Sequence, residues 1–297
     1  MIDLGVLTTE ARNPNTMDLD QMTPQELVDV MNSEDGRVVA AVHEEREHIA
    51  TAVAWAAEAI SRGGRILYVG AGTSGRLGVL DAVECPPTFG VSQNLVVGLI
   101  AGGSDAFVHA KEGAEDSPVL GAEELDQIAL CGKDLVVGLA ASGRTPYVIG
   151  ALRHARKIGA RTVAIACNAS SAIGREAELA IEPVTGPEVL TGSTRLKAGT
   201  AEKMILNMIS TGAMVLNGKA YQNLMVDVKQ SNEKLVARAQ NITMEATGCS
   251  RQQAMEALEK ADGSAKVAIV MLLTGANADQ ARGKLENAGG HVRMAVK

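Results

Sequence analysis

The chain has 297 residues and a formal charge of -7, with 46% hydrophobic and only 2% aromatic residues. This length suits one large domain, or one domain with a small appendage. The acidic balance and the lack of a basic stripe argue against nucleic acid as a partner. The first twenty residues are polar, which argues against a signal peptide, and no apolar run approaches the roughly 18 residues of a membrane span. We therefore expect a cytoplasmic protein with no membrane partner.

The cysteines do not indicate a metal site or a disulfide framework. Cys85, Cys131, Cys167 and Cys249 form no Cys-x-x-Cys pair, and no histidine lies beside them at zinc-ligand spacing. We expect reduced thiols and no bound metal.

The N-terminal part of the chain predicts helices. Thr23-Pro24 has the pattern of an N-cap followed by a first helical residue, which predicts a helix as far as about Met31. A second stripe of apolar residues at helical spacing runs from Val38 to Ser61. Gly63-Gly64 is expected to end it.

From residue 66 onward, short apolar runs alternate with helical stretches. Each run is apolar almost throughout, which is typical of strands buried on both faces of a parallel sheet. The alternation predicts a doubly wound α/β fold, with a parallel five-stranded sheet flanked by helices. The predicted strands are Ile66–Val69, Leu95–Ile100, Leu135–Leu139, Thr162–Ala166 and Leu179–Ile181, and the predicted helices between them are Gly75–Val83, about Ala122–Ala129, Pro146–Ile158 and Ser171–Glu178.

The C-terminal third of the chain predicts helices alone. A long helix with an apolar stripe is predicted over Thr194–Leu216, and another over about Asn232–Ala246. Ser250-Arg251-Gln252-Gln253 resembles a capping box, and three short helices are predicted after it. We therefore expect a main domain at 1–247 and a small helical appendage at 248–297.

Two loops of nearly the same chemistry each follow a predicted strand. They read Gly70-Ala71-Gly72-Thr73-Ser74-Gly75-Arg76 and Ala141-Ser142-Gly143-Arg144-Thr145-Pro146. A helix start offers free N–H groups and a partial positive charge, which suit a phosphate, and glycine allows the backbone to approach that anion. The sequence thus predicts a small phosphorylated ligand at the carboxyl edge of the sheet. The predicted binding residues are Gly72, Thr73, Ser74, Ser142, Gly143 and Thr145.

A third polar cluster, between Gly186 and Thr200, precedes the long helix. An ordinary capped helix start would explain its hydroxyl groups. Arg195 and Lys197 are harder to explain, because cations at a helix N-terminus oppose the macrodipole. An anionic ligand would account for their position, so both interpretations stay open.

A dinucleotide site is the weaker alternative for the first loop. Gly70-x-Gly72-x-x-Gly75 satisfies the dinucleotide fingerprint, but that fingerprint expects an acidic residue about 20 positions further on. The second strand ends Leu99-Ile100-Ala101-Gly102-Gly103, without an acid. The second hydroxyl-rich loop also has no role in a nicotinamide site.

Two glutamates are candidate acids or bases. Glu84 lies near the end of the helix after the first loop, which Pro86 and Pro87 are expected to stop. Helix rise places it about 13 Å from Gly75, so a sugar or a partner subunit would have to bring the reacting atoms to it. Glu115 lies in a glycine-broken acidic stretch. On pattern alone, each is most simply a solvated surface charge.

The two loops and the third cluster together resemble the sugar isomerase (SIS) phosphosugar-binding domain, whose fold is flavodoxin-like. The likeness is more specific to the N-acetylmuramic acid 6-phosphate etherase family, and it covers nearly the whole chain from Thr8 onward. The segments that carry it are Asp81-Ala82-Val83-Glu84-Cys85-Pro86-Pro87-Thr88-Phe89-Gly90, Glu112-Gly113-Ala114-Glu115-Asp116 and Thr191-Gly192-Ser193-Thr194-Arg195-Leu196-Lys197-Ala198-Gly199-Thr200.

This resemblance implies a lyase that cleaves the D-lactyl ether of N-acetylmuramic acid 6-phosphate, in the breakdown and recycling of cell-wall amino sugars. It implies Glu84 as the acid/base that assists lactate departure and Glu115 as the second catalytic carboxylate. It also implies no metal or organic cofactor, a homodimer with active sites near the subunit interface, and a C-terminal segment similar to a ubiquitin-associated fold. The phosphosugar-binding residues would extend to Glu188, Ser193, Thr194 and Lys197.

Two other functions stay open. Regulatory proteins in animals share the Ser193-Thr194-Arg195-Leu196-Lys197 cluster, so the chain could be a catalytically silent phosphosugar sensor. An aldose–ketose isomerase could use the same domain. Release of D-lactate from the muramic acid substrate would separate the etherase from both.

Overall fold

The structure, a computed structural model, describes residues 7–109, 111–228, 230 and 232–297. It divides into two compact units. The first contains the residues up to Ala82 together with Asn94–Ser210, and the second contains Val83–Gln93 and Thr211–Lys297.

The first unit is built on a sheet of five parallel strands in the order β2-β1-β3-β4-β5. Each strand lies within one residue of its predicted bounds, and the doubly wound sheet is confirmed. The order is that of flavodoxin-like folds. The strands are β1 (Ile66–Gly70), β2 (Val96–Ile100), β3 (Leu135–Leu139), β4 (Arg161–Ile165) and β5 (Leu179–Ile181).

Twelve α-helices are formed by the described residues. Within those residues, no helix has both the length and the apolar character that crossing a membrane requires. The helices are α1 (Pro24–Glu44), α2 (Arg46–Ser61), α3 (Gly72–Phe89), α4 (Pro118–Gln127), α5 (Pro146–Ile158), α6 (Ala172–Glu176), α7 (Lys197–Leu216), α8 (Glu233–Thr247), α9 (Arg251–Lys260), α10 (Ala265–Thr274), α11 (Ala278–Asn287) and α12 (Val292–Ala295).

The core of the first unit forms where α5 lies against the sheet. Val148 and Leu152 are fully buried beside the sheet residues Leu67 and Val136. A methyl group placed on Gly138 of β3 would lie 2.6 Å from Val148 Cγ1, so α5 packs directly on the strand backbone. Each aliphatic side chain buried in this way stabilises the fold by about 1.5–3 kcal/mol.

The predicted end of α1 near Met31 is wrong, because the helix continues to Glu44 and the chain breaks at Glu45. The capping box between Thr23 and Glu26 confirms the predicted start. The polar run after Met31 resembles a loop in sequence, but Glu34 within it is buried and forms an ion pair. An interior partner therefore keeps this segment helical.

The predicted bounds of α3 are also wrong, because Pro86 and Pro87 do not stop it. The helix begins at Gly72 and ends at Phe89, with both prolines inside it. Each proline removes an N–H donor, but both lie in the last turn, where few further helical bonds depend on them. Gly90 ends the helix with φ of 65° and donates its N–H to the Pro86 carbonyl at 3.0 Å.

The second unit has a helical core of its own, built around α10. Residues Ala265–Val270 of that helix are all buried, and α8, α9 and α11 pack against it. Ser250 and Gln253 form the predicted capping box at the start of α9. The predicted domain boundary at 247/248 falls inside this core, between α8 and α9. The unit as observed begins earlier, because α8 shares its apolar face with the helices that follow.

Candidate active site

The two glycine-rich loops lie side by side at the carboxyl edge of the sheet. Gly70, the last residue of β1, is in register with Leu139, the last residue of β3. In the observed strand order β1 and β3 are neighbours, with β2 on the far side of β1. This is the point where the order reverses, and ligands of open α/β sheets bind in the crevice there.

The first loop is a direct passage from strand to helix. A methyl group on Gly70 would lie 2.8 Å from the Gly75 nitrogen, and one on Gly75 would lie 2.7 Å from the Gly70 carbonyl oxygen. Only glycine permits such contact, so the N-terminus of α3 is held at the sheet edge. Gly72 is exposed there with φ of 53°, and Thr73 follows it half-buried.

Two polar side chains of the first loop are already bonded within the protein. The Ser74 hydroxyl lies 2.8 Å from Oε1 of the buried Glu202. Arg76 donates to the carbonyl oxygens of Phe107 and Ala106, at 2.8 and 2.9 Å. Arg76 therefore anchors the segment that follows β2 and leads towards Glu115.

The second loop is shaped by Gly143. This residue has φ of 73°, and its N–H donates to the Ala140 carbonyl at 2.7 Å. A methyl group there would lie 2.4 Å from Ser171 Cβ. Thr145 is the N-cap of α5, but its side chain accepts no capping hydrogen bond from a backbone N–H of the described residues.

Glu115 lies beside this second loop. It belongs to a short 3-10 helix, Ala114–Asp116, and its side chain is exposed. A cavity of about 340 Å³ opens between that helix and the loop, a size that suits a small ligand. The structure thus brings together Glu115, Ser142 and Thr145. The lining residues are Leu7, Glu10, Glu115, Asp116, Ser142, Arg144, Thr145 and Pro146.

The N-terminal segment closes one side of this cavity. Thr8 Oγ1 donates to Asn168 Oδ1 at 2.8 Å, and Asn168 Nδ2 donates to Thr9 Oγ1 at 2.9 Å. The same amide nitrogen donates to the Ala141 carbonyl at 3.2 Å. Asn168 therefore joins the N-terminal segment to the second loop.

In the third polar cluster, carboxylates of the protein itself pair with the start of α7 and with Lys197. Glu188 is buried and accepts the N–H groups of Lys197 at 3.0 Å and Ala198 at 2.9 Å, at the start of α7. Lys197 is also buried, and its Nζ lies 2.5 Å from Glu34 Oε2. An external anion is thus not needed to explain this lysine. Burial raises the pKa of Glu188, although the two N–H donors and the lysine charge oppose the rise.

The turn before α7 nevertheless lies next to the cavity. A methyl group on Gly192 would lie 3.2 Å from Oε2 of Glu10, which lines the cavity. Ser193 and Thr194 follow in that turn, both half-buried. A methyl group on Gly199 of α7 would lie 3.6 Å from Thr73 Cγ2. The predicted binding segments are therefore neighbours in the first unit.

Glu84 lies on the part of α3 that belongs to the second unit, and its side chain is exposed. Its pairing with Glu115 in one reaction stays a prediction. Among the described residues, no group of three or more histidine, cysteine, aspartate or glutamate side chains could hold a metal ion.

Sequence reasoning missed Arg144, Glu10 and Asp116 as cavity residues. The signal for Arg144 was present, because the triplet Ser-Gly-Arg occurs in both loops. The two arginines differ in use. Arg76 is bonded to carbonyl groups, whereas Arg144 forms no hydrogen bond or ion pair with the part of the chain that the structure describes.

Comparisons with known proteins agree with this fold. The model of the SIS domain matches residues 121–211, and that of the glucokinase regulatory protein N-terminal SIS domain matches residues 48–156. A third model, the C-terminal lid domain of glucokinase regulatory protein, matches residues 222–266. The solved phosphoheptose isomerase GmhA from Neisseria gonorrhoeae is 16% identical, with a TM-score of 0.50 over 64% of this chain and 98% of that chain, which supports the fold alone.

Curated relatives are far more similar. An N-acetylmuramic acid 6-phosphate etherase of Pectobacterium atrosepticum is 59% identical over 92% of this chain and 90% of its own length. Proteins of the same name are 58% identical in Mycolicibacterium smegmatis and 60% identical in Salmonella agona. They cover 91% and 92% of this chain, and 91% and 92% of their own lengths.

Proposed function

The chain belongs to the N-acetylmuramic acid 6-phosphate etherase family, and we propose from this premise that it cleaves the D-lactyl ether of that phosphosugar. The products are N-acetylglucosamine 6-phosphate and D-lactate. The observation that carries the proposal is that Glu115 lines the same cavity as Ser142 and Thr145 of the second loop. An exposed carboxylate thus stands beside hydroxyl groups suited to a phosphosugar.

The chemistry requires two carboxyl groups. In the open-chain aldehyde, the proton on C2 is acidic because it is α to the carbonyl. A carboxylate removes that proton, the C2–C3 double bond forms, and the C3–O bond to the lactyl group breaks. A carboxylic acid protonates the departing oxygen, because an alkoxide is a poor leaving group. Water then adds its hydroxyl to C3 and a proton to C2, so one water is consumed for each ether cleaved.

We assign the C2 proton to Glu115 and the departing oxygen to Glu84. Each proton transfer contributes a factor of roughly 10²–10⁴ to the rate. The phosphate is assigned to Gly72, Thr73, Ser74 and the second loop, with Ser193 and Thr194 nearby. Glu188 and Lys197 are assigned a structural role and not a contact with the substrate, because both are buried and bonded to protein groups.

Arg144 is assigned to the lactyl carboxylate. The substrate carries two anionic groups, the phosphate and this carboxylate. Arg144 lines the cavity of Glu115 and has no partner among the described residues. Guanidinium groups bind carboxylates through paired, charge-assisted hydrogen bonds, so this residue suits recognition of the leaving group.

We also propose a homodimer that acts in the cytoplasm, in cell-wall amino-sugar recycling. Several large apolar side chains on α3 and α7 are exposed in the single chain, which supports an interface on these helices. Those of the first unit are Leu80 on α3 and Met208 on α7.

The test is to incubate the purified chain with N-acetylmuramic acid 6-phosphate in ¹⁸O-water. We expect D-lactate without label and N-acetylglucosamine 6-phosphate labelled at the C3 hydroxyl, because water adds to C3 after elimination. Label in the lactate would contradict the elimination route. Absence of lactate from folded protein would contradict the activity.

Variants test the catalytic assignment. Glu115→Gln is expected to lower kcat by about 10²–10⁴, as is Glu84→Gln. The matched control is Asp116→Asn, because Asp116 is an exposed acid that lines the same cavity. Equal losses in Glu115→Gln and Asp116→Asn would contradict a specific role for Glu115.

Two other outcomes would point elsewhere. The match to the glucokinase regulatory protein domain favours a sensor as the second candidate. Tight binding of the phosphosugar without any product would support it. A ketose product with hydrogen exchange at C2 and no lactate would indicate an isomerase.

A further inference from the structure

A buried carboxyl group lies directly behind the first loop. Glu202 is on α7 and is fully buried, and its Oε1 lies 2.8 Å from the Ser74 hydroxyl in the first turn of α3. Its Oε2 is buried and has no hydrogen-bond partner among the described residues. Buried polar atoms are nearly always paired, so an orphaned carboxyl oxygen behind a candidate phosphate site requires an explanation.

Glu202 has no cationic partner among the residues that the structure describes. Ser74 faces it from α3, and the thiol of Cys167, after β4, is close enough to sense its charge. The charge of Glu188 also raises the pKa of this thiol. Lys197 lies five residues before Glu202 on α7, but its ammonium group is paired with Glu34. Burial raises the pKa of Glu202 to about 8, against a smaller lowering by the Ser74 hydrogen bond. Burial therefore favours the neutral form of this carboxyl group.

The hydrogen bond between Glu202 and Ser74 can run in either direction. When Glu202 is ionised it only accepts, so Ser74 must donate its single hydroxyl hydrogen to it. When Glu202 is neutral it can donate through Oε1 to the serine oxygen. The serine hydrogen is then free to turn towards an anion at the N-terminus of α3.

We propose that Glu202 is a positioning residue for the phosphate, which in its neutral form holds Ser74 as a donor to the substrate. The proposal rests on the proposed function in one respect, namely that the first loop receives the phosphate. Ionisation of Glu202 removes that donor and places a negative charge behind the bound phosphate. Both effects weaken binding, and neither requires Glu202 to touch the substrate.

The consequence is a loss of phosphosugar affinity at alkaline pH. If only the neutral form binds, the dissociation constant rises about tenfold between pH 7 and pH 9 for a group that titrates near 8. The substrate phosphate has its second pKa at about 6, so its own charge is nearly constant over this range.

The experiment measures binding of N-acetylglucosamine 6-phosphate to the full chain by calorimetry at pH 7, 8 and 9. N-Acetylglucosamine without the phosphate is the control ligand. We expect the wild-type affinity to fall about tenfold across the range. Glu202→Gln keeps a donor for Ser74 but cannot ionise, so its affinity should be the same at pH 7 and pH 9. A parallel loss in wild type and Glu202→Gln would overturn the proposal.

Two further measurements keep the test decisive. Ser74→Ala removes the hydroxyl group that donates to the phosphate. The affinity of this variant for the phosphosugar should be lower than that of the wild type at pH 7, and it should fall less steeply with pH. Infrared difference spectra should show a protonated carboxyl band that disappears near pH 8 in the wild type and is absent from Glu202→Gln. A wild-type spectrum without this band would overturn the neutral form of Glu202.

The outcome can be separated from that of the proposed function. D-Lactate release at pH 7 tests the etherase, whereas the pH dependence of binding tests Glu202. Binding that weakens at pH 9 in wild type but not in Glu202→Gln supports the role of Glu202 even in a chain that releases no lactate. Lactate release together with pH-independent binding of the phosphosugar refutes it.

Discussion

Arg144 differs from its counterpart in the first loop in being available to a ligand. Arg144→Gln is expected to lower kcat/KM for N-acetylmuramic acid 6-phosphate by about 10- to 100-fold, because a hydrogen bond to a charged group contributes about 1.5–3 kcal/mol. The comparison substrate is 3-O-ethyl-N-acetylglucosamine 6-phosphate, which has no carboxylate. The variant should cleave this ether as well as the wild type does.

The control for this prediction is Arg175→Gln. Arg175 lies with Arg144 along a neighbouring cavity of about 430 Å³ but does not line the cavity of Glu115. Equal losses on both substrates in Arg144→Gln would show that the arginine serves the phosphate or the fold and not the carboxylate.

The buried pair of Lys197 and Glu34 is expected to govern stability. Lys197→Met leaves the Glu34 carboxylate buried without its cation and should lower the free energy of unfolding by about 3–5 kcal/mol. Denaturant unfolding measures this loss. Arg37→Met removes the exposed partner of the same carboxylate and should cost less than about 1 kcal/mol. Similar losses in the two variants would contradict the importance of burial.

The same pair predicts a dependence on pH. Burial raises the pKa of Glu34, but bonds from Lys197, Asn15 and Asn13 outweigh it and lower the pKa from 4.5 to about 2. The stabilisation is therefore complete above pH 4.5 and is lost as the pH falls from there through about 2. Glu34→Gln should flatten this acid limb of the unfolding free energy. An unchanged limb would assign the acid sensitivity to other carboxyl groups.

At the scale of elements, the turn from β3 into α5 depends on a residue without a side chain. Gly143 and Gly159 both have positive φ, of 73° and 86°. A methyl group would meet nothing within 4 Å at Gly159, but would lie 2.4 Å from Ser171 Cβ at Gly143. Gly159→Ala should thus cost only the conformational strain of about 1–2 kcal/mol.

Gly143→Ala adds a steric clash to that strain, and the clash should lower the free energy of unfolding by a further amount of about 1–3 kcal/mol. Denaturant unfolding of the two variants isolates the clash as their difference. Equal losses would mean that the second loop moves freely away from the segment after β4. Such freedom would weaken the case for a preformed phosphate site.

The strands were predictable because each is a short apolar run buried on both faces, which leaves few alternatives. The helix ends were less so. α1 continues through a polar segment because Glu34 forms a buried ion pair with Lys197, which lies 163 positions further along the chain. The residues around Glu34 give no sign of a partner so far along the chain, so the end of α1 could not be predicted from them.

The site, like the fold, has parts that local sequence predicts and parts that depend on distant partners. The glycines and hydroxyl groups of the two loops predict a phosphate site from residue type and spacing, and phosphate binding there stays a prediction. The partners of Ser74 and Lys197 could not be predicted, because Glu202 and Glu34 lie on distant helices and each resembles an ordinary helical glutamate in sequence.

At the scale of the whole molecule, the proposed homodimer makes a prediction about shared active sites. Glu84→Gln and Glu115→Gln are each expected to keep at most about one-hundredth of the wild-type kcat. If each site draws these two acids from different chains, mixed dimers of the two variants contain one intact site. Unfolding and refolding an equal mixture should then restore about a quarter of the wild-type rate, since half of the dimers are mixed. No recovery, with mixed dimers present, would mean that one chain supplies both acids.

The attachment of the N-terminal segment has a consequence for synthesis of the chain. Thr8 is bonded to Asn168, and Thr16 donates to the carbonyl of Val189, across separations of 160 and 173 positions. Thr8 and Thr16 are therefore made well before their partners, and they reach their places only after those partners have been made. A nascent chain that ends before Asn168 has both glycine-rich loops but lacks the residue that joins Thr8 and Thr9 to the second loop, so we expect the cavity beside Glu115 to form only after Asn168 has been made.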